Sequence, residues 1–283
     1  MILNNTPVEK VYLDDRTKVL VKREDLCTRP PAPPFSKMRG VMVHLANLKR
    51  IGIETVGYVE TSISMAGWGV TWACKELGLK AVIFDPQYKE GNELPLHTLH
   101  RQKWRENGVN HIRPIKAGMA RVNWNIARKI MAAEYPNSVL LPLGVPFEET
   151  VTETAKEAEQ TIRTYKPRSI VIAVGSGTIA AGVWKGVKES GMEIHVHGVA
   201  CRNGDMKRKL KSIFDKSKIF FPIRNGATFT LHNPEWEYTQ PSLFPQPFPC
   251  HPYYDLKAWE WLVYNNSKLP QPLMFWNIGA MAE

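Results

Sequence analysis

Between Glu54 and Ala200 the chain alternates short apolar runs with longer stretches of helical periodicity, and this alternation restricts the fold more than any single residue does. Glu54–Val59 reads as a strand, Met65–Leu77 as a helix and Ala81–Phe84 as a second strand, together one βαβ unit. Helix-like Leu94–Asn107, strand-like His111–Ile115, helix-like Ala120–Tyr135 and strand-like Ser138–Leu141 continue the pattern. After Pro142-Leu143-Gly144 it restarts with a helix over Phe147–Tyr165, a strand at Val171–Val174, a helix over Ile179–Glu189 and a strand at Ile194–Ala200. Strands joined through crossover helices run parallel. The expected fold class is α/β with two lobes, each a mostly parallel twisted sheet flanked by helices. Residues 1–40 and 146–283 are expected to form the larger domain and residues 41–145 the smaller, with a cleft between them.

A chain of 283 residues with 43% hydrophobic content can bury the cores of such lobes. No run approaches the roughly 20 apolar residues of a membrane span, and Met1–Asn5 lacks the charged start and apolar stretch of an export signal. The expectation is a cytoplasmic protein with no membrane association. Cys27, Cys74, Cys201 and Cys250 are scattered without paired spacing, which argues against a disulfide framework or a thiolate zinc site. His97 with His100, and His195 with His197, have spacings that bring imidazoles together, but no carboxylate or cysteine is seen to complete a site, so no metal is expected. The 37 Lys+Arg against 27 Asp+Glu give a net charge of +10, which attracts anionic partners. Basic residues gather at Arg101, Lys103 and Arg105, at Arg121, Arg128 and Lys129, and most densely at Lys207, Arg208, Lys209 and Lys211. These read either as solvated helix faces or as a nucleic-acid footprint, and salt dependence of binding separates the two.

Three stretches carry chemistry or break the alternation. Val171–Val174 runs into Gly175-Ser176-Gly177-Thr178 and then a helix, which leaves backbone N–H groups at the positive end of a helix dipole and makes a seat for phosphate. The same turn also serves as an ordinary strand-to-helix connection. It is not a nucleotide P-loop, because no Gly-Lys-Ser/Thr follows at the required offset. Arg29-Pro30-Pro31-Ala32-Pro33-Pro34 cannot be helical and is expected to be a stiff connection that delivers Lys37, in Phe35-Ser36-Lys37-Met38-Arg39-Gly40, to a fixed place. Asn233–Tyr253 is crowded with proline and aromatics (Trp236, Tyr238, Phe244, Phe248, Tyr253) and reads as a lid, a packing loop or a base-stacking platform.

Taken in order, these segments resemble the fold type II pyridoxal-phosphate enzymes, the family of the tryptophan synthase β subunit. The likeness is strongest to the branch of aminocyclopropane-carboxylate deaminase and D-cysteine desulfhydrase. Val21-Lys22-Arg23-Glu24-Asp25-Leu26 is similar to the family's strand before the active-site lysine, and Phe35–Gly40 to the lysine motif. Thr61-Ser62-Ile63-Ser64-Met65-Ala66-Gly67 resembles the substrate loop, and Gly175–Thr178 the phosphate loop. Pro252-Tyr253-Tyr254-Asp255-Leu256-Lys257-Ala258 and Phe275-Trp276-Asn277-Ile278-Gly279-Ala280 resemble motifs near the end of the deaminase and desulfhydrase chains.

The resemblance implies pyridoxal 5'-phosphate in the interlobe cleft, bound through a Schiff base to Lys37, which would also serve as base or acid at the substrate α carbon. Gly175, Ser176, Gly177 and Thr178 would hold the phosphate, and Asn277 would line the cofactor seat. Ser62, Ser64, Met65, Ala66 and Gly67 would take the substrate, its carboxylate at the helix N-terminus, with Ser64 and Tyr254 as further proton-transfer candidates. Asp255 would pair with the pyridine nitrogen and hold it protonated; Asp255 also reads as the N-cap of a helix over Leu256–Tyr264. The family usually has asparagine at the position of Met65 and threonine at that of Ile278, so ring tuning and substrate differ here. The implied activity is α-carbon chemistry of lyase, decarboxylase or deaminase type on an amino-acid group. Two alternatives stand beside it: the same chemistry on an amino-acid-modified nucleobase in DNA, reached through the basic surface, and an inactive relative acting as a binding module. A homodimer is implied by resemblance.

Overall fold

The computed structural model describes residues 2–15, 17–89, 93–217 and 226–281. In chain order its main elements are β1 (Val8–Tyr12), β2 (Lys18–Arg23), α1 (Met38–Arg50), β3 (Thr55–Val59), α2 (Ala66–Leu77), β4 (Lys80–Gln87), α3 (Pro95–Glu106), β5 (His111–Lys116), α4 (Ala120–Glu134), β6 (Ser138–Leu140), α5 (Glu148–Tyr165), β7 (Ser169–Val174), α6 (Thr178–Ser190), β8 (His195–Ala200), α7 (Met206–Lys216), β9 (Thr228–His232), α8 (Asp255–Asn265) and β10 (Leu273–Asn277). They divide into two compact units. One comprises the residues up to Arg29, Pro34–Gly40 and everything from Phe147 onward; the other comprises Pro30–Pro33 and Val41–Pro146.

The first unit is built on a six-stranded sheet in the order β1-β2-β10-β7-β8-β9. Only the β1–β2 pair is antiparallel, joined across a short turn, and every other pairing is parallel. β7 is buried along its whole length, because alternate side chains of a strand point to opposite faces and both faces are covered here. Ile170, Ile172 and Val174 enter a cluster with Trp184, Val187 and Leu210, whereas Val171 and Ala173 enter a second with Leu256, Trp259 and Leu262. β10 obeys the same period: Met274 and Trp276 join the first cluster, Leu273 and Phe275 the second. A buried ionic network ties α5 to the sheet, with Lys22 on Glu157 and Arg39 forked onto Glu24.

The second unit carries a fully parallel four-stranded sheet, order β5-β4-β3-β6, with Val59, Val82, Phe84, Ile115, Ala127 and Met131 forming a core between strands and α4. No helix among the described residues is long and apolar enough to cross a membrane.

Candidate active site

Parallel sheets gather their ligand-facing groups at the carboxyl ends of the strands. In the first unit the ends of β7 and β10 do this. β7 ends at Val174 and passes into Gly175 and Ser176, and Gly177 adopts φ +91° as the residue before α6. A Cβ on Gly175 would lie 2.9 Å from Cε1 of Tyr254, so the Tyr254 ring leans on the turn and only glycine fits there. The first amides of α6 have no intrahelical acceptor and form the positive end of its dipole.

Lys37 reaches this turn from a segment pinned to the other strand end. Phe35 forms an antiparallel bridge with Gly279, the Ser36 amide donates to Ile278 O (3.0 Å) and the Ala280 amide to Pro34 O (3.1 Å). Lys37 stands just before α1, 9% exposed, and its Nζ donates to Ser176 Oγ at 2.8 Å. The same hydroxyl lies 3.0 Å from Thr178 Oγ1. Burial, with the charge of Lys209 adding to it, pushes the Lys37 ammonium down to about 7. A large part of this amine is thus unprotonated near neutral pH, the form that attacks a carbonyl.

Asp255 is buried, and its carboxylate accepts from the Ile278 amide at 2.7 Å. Burial holds its carboxyl well above the usual range, against the opposing pull of the Ile278 and Gly279 amides. The N-cap reading of this residue is corrected by the structure: Tyr254 is the cap and Asp255 the first residue of α8, and its side chain accepts from the amides beyond β10. Asn277, fully buried, donates through Nδ2 to Asp25 Oδ1 and to Pro249 O, both at 2.9 Å. Arg23 holds Asp25 in turn, at 2.9 and 2.7 Å. The amide oxygen of Asn277 has no hydrogen-bond partner among the described residues.

In the second unit, Thr61–Gly67 forms the turn between β3 and α2. Ser62 is buried and the Ser64 hydroxyl accepts from the Ala66 amide at 3.1 Å, so Ser64 closes the first turn of α2 while Met65 occupies the cap position. Glu60, which the sequence did not single out, organises this turn: it is 1% exposed and accepts from the Thr61 amide (2.9 Å) and the Gly67 amide (2.7 Å). A strand-end carboxylate whose partners are backbone amides of its own turn leaves no mark in a spacing pattern.

Two further expectations change on contact with the structure. The Lys207–Lys211 run is not uniformly a solvated face, because Lys209 turns inward and its Nζ donates to Gly175 O at 3.4 Å. The apolar positions Met206, Leu210, Ile213 and Phe214 of α7 carry the signal that could have revealed this, since they set the buried stripe that Lys209 borders. A carboxylate does stand beside His97: Asp85 lies 2.8 Å from its Nε2 and is shared with Arg101. Of the aromatics in Asn233–Tyr253, Phe248 packs into the core against Trp259 and Phe275. The ring of Trp236 covers the ammonium of Lys257, which pins the loop through the carbonyls of Cys201 and Glu237.

A buried lysine bonded to the hydroxyl of a glycine turn that opens a helix, with a buried carboxyl and an amide oxygen that has no partner among the described residues at the adjacent strand end, forms a set of groups that could hold a phosphorylated carbonyl cofactor. The donor set fits pyridoxal phosphate. The family profile described as "Pyridoxal-phosphate dependent enzyme" matches residues 2–223, and the chain belongs to that family. Its cofactor is pyridoxal 5'-phosphate, and it is a pyridoxal-phosphate-dependent enzyme of lyase or decarboxylase type. The reading as an inactive binding module is set aside. Among curated relatives, the chain is 36% identical over 289 residues, 99% of this chain and 100% of the other, to a glycyl-dTMP PLP-dependent decarboxylase of Pseudomonas phage M6. It is 28% identical to the mitochondrial threonine dehydratase of Schizosaccharomyces pombe, over 77% of this chain and 34% of that one. Among solved structures, an ACC deaminase homologue superposes with a TM-score of 0.80 at 20% identity, covering 98% of this chain and 90% of the other. A hydrogen sulfide-producing enzyme from Fusobacterium nucleatum superposes with a TM-score of 0.70 at 15% identity, covering 99% and 96%. The fold is that of the deaminase-like pyridoxal-phosphate enzymes.

Proposed function

We propose that the protein decarboxylates an α-amino-acid group carried on a nucleobase, in DNA or in a nucleotide. The observation that carries this reading is the 36% identity, end to end, with a phage decarboxylase named for glycyl-dTMP. The net charge of +10 supports it, since a polyanionic substrate is drawn to such a surface.

Pyridoxal phosphate, when bound, supplies an electron sink for the bond that breaks at the α carbon. The chain's own residues supply placement and protons. The Gly175–Thr178 turn and the N-terminus of α6 hold the phosphate by backbone donors and the Ser176 and Thr178 hydroxyls. Lys37 carries the cofactor and afterwards delivers a proton. In decarboxylation the bond from the α carbon to the carboxyl carbon breaks, carbon dioxide leaves, and the α carbon takes up one proton. Lys37 is suited to give that proton, because an ammonium held down to about 7 is a far stronger acid than an exposed lysine. Asp255, held by the Ile278 amide, would pair with the cofactor's ring nitrogen and favour its protonated form. Asn277 Oδ1 accepts a donor from cofactor or substrate, and Tyr254 walls the turn and serves as a second proton-transfer group. Ser62, Ser64 and the Met65–Gly67 turn would take the substrate, with the Ser62 and Ser64 hydroxyls as donors, since the Ala66 and Gly67 amides are held by Ser64 and Glu60.

The test is turnover of three substrates by the cofactor-loaded protein: duplex DNA containing glycyl-modified thymidine, free glycyl-dTMP, and free amino acids. The expected result is a nucleoside lighter by one carbon dioxide in mass spectrometry, from either nucleotide form and abolished by Lys37→Ala. Turnover of free amino acids with both nucleotide forms left intact overturns the reading.

A further inference from the structure

Helix α7 is packed directly on the phosphate turn. A Cβ on Gly177 would stand 3.0 Å from Leu210 Cδ1 and 3.4 Å from Ile213 Cδ1, so these two side chains clamp the helix against the turn and fix the residues beside them. Lys209 precedes Leu210, is half-buried, and reaches Gly175 O with its Nζ at 3.4 Å. Its helix neighbours Lys207, Arg208 and Lys211 are exposed.

A phosphate monoester carries about 1.5 to 2 negative charges at neutral pH, while a helix N-terminus offers roughly half a positive charge. The remaining charge calls for a cation. Lys37, although it touches Ser176, would be taken up at the cofactor's aldehyde and so would not supply that charge. Lys209 is the side-chain cation held against the same turn from α7.

We propose that Lys209 is part of the cofactor seat and donates a charged hydrogen bond to the phosphate of pyridoxal 5'-phosphate. A lysine that only braced the Gly175 carbonyl would make a neutral-acceptor contact and be indifferent to the phosphate. Burial and the nearby Arg202 charge push the Lys209 ammonium down to about 8, so it is protonated at neutral pH, and an incoming dianion raises it again. The same charge lowers Lys37, which keeps that amine nucleophilic until the cofactor arrives.

The test is a two-by-two comparison of ligand and residue on the cofactor-free protein. Dissociation constants for pyridoxal 5'-phosphate and for pyridoxal, which lacks the phosphate, are measured by absorbance titration for the wild type and Lys209→Met. Lys209→Arg and the exposed control Lys211→Met are titrated alongside. Lys209→Met should weaken the phosphorylated cofactor about 10- to 100-fold, the range of a charged hydrogen bond, and leave pyridoxal nearly unchanged. Lys209→Arg should recover most of the loss and Lys211→Met should show none. Equal losses for both ligands would mean that Lys209 acts through Lys37 or through the fold, and would overturn the assignment. An unchanged cofactor affinity overturns it as well, including the case in which Lys209→Met raises KM only for a phosphorylated substrate. Circular dichroism and a thermal melt establish that each variant is folded before titration, and Lys209→Gln, which is smaller and polar, replaces Met if that variant is unfolded, so that equal losses in a folded variant keep the meaning given above.

Discussion

Lys37 sits where an ammonium is disfavoured, and this has a measurable sign. With an unfolded value of 10.5 and a folded value of about 7, the unfolded chain holds the extra proton between those limits. The stability of the cofactor-free protein should therefore rise with pH across that window. Lys37→Met should stabilise the cofactor-free protein by on the order of 2 to 4 kcal/mol at pH 6, and by under about 1 kcal/mol at pH 10; urea denaturation at the two pH values checks this. Asp255 behaves in the opposite sense, since its carboxyl is raised by burial and the folded chain then binds more protons than the unfolded one above the ordinary carboxylate range. Its stability contribution falls as pH rises. Asp255→Asn should thus be neutral or stabilising without cofactor at pH 8, yet lower turnover about 10²-fold or more, because an amide cannot hold the ring proton. Steady-state kinetics and thermal melts of the same variant test both halves, and an active variant with unaltered cofactor absorbance would remove Asp255 from the site.

At the scale of the elements, the strand–turn–helix of β7 and α6 is the most tightly specified part of the seat. Gly175→Ala forces a methyl into the Tyr254 ring at 2.9 Å, and the ring or the turn must shift. A loss of cofactor affinity of about 10-fold or more is expected, with the fold retained, and fluorescence titration of cofactor measures it. These elements were legible in the sequence because β7 is a continuous apolar run bounded by glycine, and α5 and α6 show clean helical periodicity. β1 and β9 gave no such signal: both are sheet edges with half-exposed alternating residues, and edge pairing is decided by a neighbour the sequence does not display. The site divides the same way. Lys37 and the glycine turn announce themselves by residue type, whereas Lys209 hides in a run of four cations because successive helix residues point about 100° apart, and Glu60 hides because its partners are amides.

For the whole molecule, the surplus of ten positive charges sets how a polyanion is met. If the substrate is carried in DNA, kcat/KM for a duplex should fall steeply with salt, by about 10³ or more between about 50 and 200 mM if six or more phosphates are engaged. Turnover of the corresponding mononucleotide should vary far less, and parallel assays over that salt range decide it. The order of strands in the larger unit carries a different consequence. β10, the last strand among the described residues, is inserted between β2 and β7, two strands that do not pair with each other. During synthesis the β1–β2 hairpin must therefore wait for β10 while more than two hundred residues leave the ribosome. The segment that carries the reactive amine is bonded to the residues just after β10, so a nascent chain lacks that anchor for Lys37 until β10 has been made. A message interrupted before β10 would yield a chain whose lysine segment has lost that partner.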